Sequence, residues 1–133
     1  MVVDDEAYNC EVLKMMILSL GFPPQNLTLS MSGIDALSKI EESMKPGNER
    51  YSLIITDLSM PVMDGYKFIH KLRKAYSQSE QQQPVVATIT GHSESEFFIK
   101  AFSKGANMVY SKPIKSELIQ MLIIQSGLKV NLK

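Results

Sequence analysis

The stretch Ile54 to Gly65 reads IITDLSMPVMDG: an apolar run ends on a bare aspartate, then turns through Met60-Pro61 toward a second aspartate followed by glycine. Leu53, Ile54 and Ile55 have the character of a strand buried on both faces, as in a parallel sheet. The last useful position of that strand goes to Asp57, although aspartate disfavours strands and is seldom buried without a partner. Something must compensate that charge, and the other strand ends are where to look for it.

On either side of this stretch the apolar periodicity switches between short runs and helical stripes. Before it, Met1-Val2-Val3 reads as a first strand. Val12, Leu13, Met16, Ile17 and Leu20 form a helical stripe ended by Gly21 and Pro23-Pro24, and Leu27-Thr28-Leu29 reads as a short second strand. Leu37, Ile40 and Met44 make a second stripe, closed by Pro46-Gly47. After Gly65, Phe68, Ile69, Leu72 and Tyr76 stripe a third helix, and the polar run SQSEQQQ, Ser77 to Gln83, is a solvated connection. Val85 to Ile89 is the next buried strand. Phe97, Phe98, Ala101 and Phe102 give a fourth helix ended by Gly105, Met108-Val109-Tyr110 a fifth strand, and Leu118, Ile119, Leu122 and Ile123 a final helix. Five strands alternating with five helices over short connections predict an α/β fold with a parallel sheet covered on both faces.

Composition narrows the function classes. At 133 residues, 44% hydrophobic and 21% charged, the chain fits one soluble domain with a single sizeable core and no room for a second catalytic domain. Fourteen basic and fourteen acidic residues cancel, so no global field draws it to nucleic acid or to an anionic membrane. Cys10 is the single cysteine and is expected as core filler. With no CxxC and no Cys/His metal spacing, the chain suits a reducing, cytoplasmic compartment. No apolar run reaches the roughly 18 residues a membrane span needs. The first strand is short and begins at Met1, as if cut from a longer protein, and the residues after Leu128 predict no output domain.

In open parallel sheets, function collects where the carboxyl ends of neighbouring strands meet their loops. Strand one ends in Asp4-Asp5, strand three in Asp57, strand four in Thr90 and strand five in Ser111-Lys112-Pro113, whereas strand two ends at Ser30 without strong chemistry. If the strands take the doubly wound order 2-1-3-4-5, Asp4, Asp5 and Asp57 share one pocket. Three carboxylates so close raise one another's pKa and call for a counter-ion. Oxygen ligands without His or Cys point to a hard cation, and Mg²⁺ suits carboxylates, waters and a phosphate, with Mn²⁺ as a substitute. Lys112 and Thr90 would then grip the oxygens of an incoming phosphoryl group, with Asp57 as nucleophile.

Taken together, the acidic pair in VVDDE, the block TDLSMPVMDG, the hydroxyl in TITG and the Lys-Pro in GANMVYSKPI resemble a response-regulator receiver domain, over essentially the whole chain. The form VVDDEAYNCEVLK is similar to receivers attached to hybrid histidine kinases. The resemblance implies a flavodoxin-like (βα)5 three-layer sandwich of order 2-1-3-4-5 spanning residues 1–133. It implies a phosphohistidine donor as partner, self-catalysed phosphorylation and dephosphorylation, and no direct nucleic-acid binding or membrane insertion. It further implies that Asp5, Asp57 and the Ser59 backbone carbonyl bind Mg²⁺, that Asp4 holds a metal-bound water, and that Lys112-Pro113 is cis.

The chain also departs from the family. The strand-four hydroxyl usually stands five residues after the opening proline; Pro84 stands six before Thr90 and four before Thr88. Gly91, the small residue expected next, favours Thr90, and Thr88 shares its face. Receivers carry Tyr or Phe three positions before the lysine, where this chain has Val109, with Tyr110 on the opposite face; a muted rearrangement driven by Thr90 and its loop is therefore expected. His92 reads as a loop residue, His70 as a polar-face helix residue, the nine methionines as filler, and Asp64 as the cap of helix three. Two other classes share parts of this pattern. A metal-dependent phosphohydrolase with an aspartate nucleophile normally places a second acid where Ser59 stands, and a pseudo-receiver would have lost site residues that are all present.

Overall fold

The apolar runs form a five-stranded parallel sheet in the order β2-β1-β3-β4-β5. The computed structural model describes residues 1–128; the expected domain end at residue 133 lies outside them. Along the chain run β1 (Val2–Val3), α1 (Ala7–Ser19), a 3-10 turn (Pro24–Asn26), β2 (Leu29–Ser30), α2 (Gly33–Ser43), β3 (Leu53–Asp57) and α3 (Gly65–Ser77). Then follow β4 (Val85–Thr90), α4 (Ser95–Lys104), β5 (Met108–Ser111) and α5 (Ser116–Gln125).

Because strand neighbours point to opposite faces, the sheet splits the apolar residues into two cores. Val3, Ile54, Val86 and Val109 meet α2, α3 and α4 through Ile40, Phe68, Leu72 and Ala101. Val2, Ile55, Ala87 and Ile89 meet α1 and α5 through Leu13, Ile17, Ile119 and Leu122. Tyr110 lies on this second side, opposite Val109, as strand alternation requires. The result is the expected three-layer sandwich, held chiefly by side chains whose full burial is worth about 1.5–3 kcal/mol each.

Some stripes pack differently from their sequence pattern. The third helix buries all of Phe68, Ile69, Leu72 and Tyr76, whereas the fourth buries only Ala101, with Phe102 48% exposed. In α1 the core positions are Cys10, Leu13 and Ile17, and Val12 faces outward. The second strand lies two residues later than its expected start, at Leu29–Ser30, because the 3-10 turn at Pro24–Asn26 occupies the chain before it. The polar connection after α3 is largely solvated, yet two of its glutamines are tied down. Gln81 donates to the Met44 carbonyl at 2.8 Å, and the Gln83 side-chain Oε1 accepts from Arg73 at 2.8 Å. Arg73 also donates to the carbonyls of Pro84 and Gly105 and to the Asn107 side chain, stapling α3 to the start of β4 and to the connection between α4 and β5. Gly105 is needed there: it ends α4 at φ 115°, and a Cβ on it would lie 2.6 Å from Arg73 Cγ.

Candidate functional site

The parallel register places the carboxyl ends of β1, β3, β4 and β5 side by side, so each strand delivers its terminal polar residue to one rim. Asp4 follows Val3 and is 3% exposed, its backbone N–H bonded to the Ser30 carbonyl at 3.0 Å. Its Oδ1 accepts the Glu6 N–H at 2.9 Å and lies 3.5 Å from Asn9 Nδ2. Asp5 is half-buried beside it. Asp57 closes β3 at 8% exposure, its Oδ1 3.4 Å from the Ser59 N–H. One carboxylate oxygen from each of Asp4, Asp5 and Asp57 lies within 4.8 Å of the others. Burial pushes the Asp4 carboxyl above its ordinary range, and the neighbouring Asp57 charge adds to that.

Against this negative cluster stands the Lys112 ammonium. Lys112 Nζ lies 3.4 Å from Asp57 Oδ2, longer than the roughly 2.7–2.9 Å of a tight charge-assisted bond, and its side chain remains 37% exposed. The Lys112-Pro113 bond is cis, and the Lys112 N–H bonds the Thr90 carbonyl at 2.8 Å, fastening β5's end to β4's. Thr90, 1% exposed, is the last residue of β4, and its Oγ1 accepts the His92 N–H at 3.0 Å. Thr88 lies deeper in the strand, its hydroxyl donating to the Met108 carbonyl at 3.3 Å. Three clustered carboxylates that offer oxygen ligands, with the loosely held Lys112 ammonium against one of them, fit a hard divalent cation.

The loop between β3 and α3 is pinned at both ends. The Asp64 carboxylate caps α3 by accepting the Lys67 N–H at 2.8 Å, as its sequence position predicts. The Gly65 N–H bonds the Leu58 carbonyl at 2.8 Å, and a Cβ there would meet Leu58 Cα at 2.6 Å as well as the Asp57 carbonyl. Between these anchors Ser59 is exposed, Met60 is buried, and Val62 takes a left-handed φ of 68° in a tight turn closed by Met63 N–H on the Pro61 carbonyl at 2.8 Å.

Two features escape the sequence pattern. Asn9 is legible as a polar residue in the first turn of α1, but its approach to Asp4 depends on the path of the loop. A cavity of about 190 Å³ opens between α1 and the Pro113-Ile114 segment, with Asp4, Asp57 and Lys112 at one end and Val12 and Met16 on its wall.

The model of the response regulator receiver domain matches residues 1–124. The chain belongs to the response regulator receiver family. This receiver is 31% identical over 127 residues to hybrid signal transduction histidine kinase L of Dictyostelium discoideum, covering 96% of this chain and 7% of that kinase. It is 29% identical to the osmosensing histidine protein kinase SLN1 of Saccharomyces cerevisiae, covering 94% of this chain and 10% of the kinase. The chain thus spans a small part of each of these two kinases. Among solved structures, the receiver domain of sensor histidine kinase PA1611 from Pseudomonas aeruginosa, determined with a magnesium ion coordinated in its active-site cleft, is 27% identical. It superposes with a TM-score of 0.74 over 95% of this chain and 94% of that one. The receiver is therefore a domain of two-component signalling with an acidic pocket at its strand ends. Among the described residues, no helix is long and apolar enough to cross a membrane.

Proposed function

We propose that the receiver takes a phosphoryl group from the phosphohistidine of a histidine kinase or phosphotransfer protein onto Asp57, with Mg²⁺, and signals through the resulting change of shape. The observation that carries this reading is the meeting of Asp4, Asp5 and Asp57 within 4.8 Å, with Lys112 against Asp57. A Mg²⁺ ion held by Asp5, Asp57 and the Ser59 carbonyl, with Asp4 behind it, would supply the positive charge that neutralises both the carboxylates and the phosphoryl oxygens. The cytoplasmic side, where nucleotide charges the donor, is the location this reading carries.

The chain's own residues do the rest. An Asp57 carboxylate oxygen attacks phosphorus in line with the donor's P–N bond. That bond's electron pair leaves on the imidazole nitrogen, which takes up a proton, and an aspartyl phosphate remains. The Lys112 ammonium and the Thr90 hydroxyl meet the charge spread over the equatorial oxygens. Thr90 is chosen over Thr88 because it ends the strand, whereas the Thr88 hydroxyl already serves a β5 carbonyl.

Intact mass after incubation with acetyl phosphate tests this directly. A stable, Mg²⁺-dependent gain of one phosphoryl group is expected. Multiple turnovers of released phosphate without a stable adduct would instead indicate a phosphohydrolase, and no gain with or without metal would indicate an interaction module.

A further inference from the structure

Of the three helices on its side of the sheet, α4 is held least by the core. Ala101 is its one fully buried residue, and Ile99 and Phe102 are 68% and 48% exposed. An element with so little buried apolar surface shifts at low cost. Its first turn is nevertheless tied to the site. Thr90 Oγ1 accepts the His92 N–H at 3.0 Å, and the His92 ring lies flat on Phe97 of α4, with centroids 4.2 Å apart and planes inclined by 17°. The Phe97 N–H in turn bonds the Glu94 carbonyl at 3.2 Å, fixing the ring's base to the helix start.

We propose that the His92–Phe97 stack carries the movement of the Thr90 hydroxyl to α4, in place of the aromatic residue that position 109 lacks. The inference rests on the reading of Asp57 as phosphoacceptor and Thr90 as the hydroxyl that meets its phosphoryl group. Other routes out of Thr90 are stiff. The parallel ladder that pairs Ala87–Thr90 with Met108–Ser111, with the Thr88 hydroxyl on the Met108 carbonyl beside it, resists sliding of the strand. Val109 is buried in the same core as Ala101, and its β-branched side chain has few rotamers to exchange. The freedom left lies past Thr90, where the His92 backbone must follow the hydroxyl it is bonded to. A flat ring stack then either draws Phe97 along or breaks, giving two discrete arrangements that a phosphoryl group biases differently. His92 and Phe97 touch no reacting atom; they act through Thr90.

Amide chemical shifts on adding beryllofluoride with Mg²⁺ distinguish the outcomes. In the unaltered protein, changes are expected around Asp57 and, smaller, from Glu94 to Phe98. His92→Ala and Phe97→Ala should keep the changes around Asp57 and lose those in α4, and His92→Phe, which retains a flat ring, should restore them. Undiminished α4 changes in both alanine variants would overturn the inference while leaving the phosphoacceptor reading intact, as would His92→Phe failing to restore a response that His92→Ala abolishes. An unaltered protein silent around Asp57 would overturn the phosphoacceptor reading and this inference with it.

Discussion

At the scale of single residues, the site depends on backbone that tolerates no side chain. Gly65 N–H reaches Leu58, and a Cβ on residue 65 would press on Leu58 Cα at 2.6 Å and on the carbonyl of Asp57. Neither neighbour is a flexible side chain, so the backbone itself must move. Gly65→Ala is expected to cost about 1–3 kcal/mol of stability, the usual range for overpacking, and to weaken Mg²⁺ binding because Asp57 moves with its carbonyl. Urea unfolding with and without Mg²⁺ reads both effects; an unchanged metal response would detach the glycine from the site. Val62 makes the opposite case. It is 92% exposed and holds a left-handed backbone that costs a β-carbon residue about 1–2 kcal/mol. Val62→Gly, which removes the β-carbon that a positive φ crowds, is expected to stabilise the domain by about 0.5–1 kcal/mol in the same unfolding experiment.

At the scale of elements, the readout follows from which face each strand residue takes. Val109 packs toward α4 and Tyr110 toward α1 and α5, so Tyr110 cannot replace the missing aromatic. Shift changes at Val109 on adding beryllofluoride are expected to stay well below those next to Asp57; comparable changes would show a full switch operating without the aromatic. The sequence made the strand-end acids legible because a charge closing an apolar run has no structural excuse. It also made α3 legible, since all four residues of its stripe are buried. It misjudged α4 and Val12 for a physical reason: an apolar stripe says which side of a helix can pack, not how deeply that helix is seated. The approach of Asn9 to Asp4 and the His92–Phe97 stack depend on loop paths that no periodicity encodes. The short second strand moved because a 3-10 turn at Pro24–Asn26 intervened.

For the molecule as a whole, folding brings Asp57 against the adjacent pair Asp4 and Asp5, from which the unfolded chain keeps it apart, with Asp4 and Asp57 largely buried. Their repulsion opposes folding, and a divalent cation that binds only the folded site would relieve it. At about 100 times its Kd, Mg²⁺ should stabilise the domain by about 2.7 kcal/mol through mass action. Asp5→Asn should reduce the shift in melting temperature that Mg²⁺ produces, and an undiminished shift would remove Asp5 from the ligand set. The two-layered core makes the same fold a frame for the strand ends, and under the proposed function the loop after β4 is the segment that would respond. The most direct measurement of the central claim is phosphoryl transfer from a phosphohistidine protein to the unaltered receiver and to Asp57→Asn. The account predicts acid-labile phosphate on Asp57 alone and none on the variant; undiminished labelling of Asp57→Asn would contradict it.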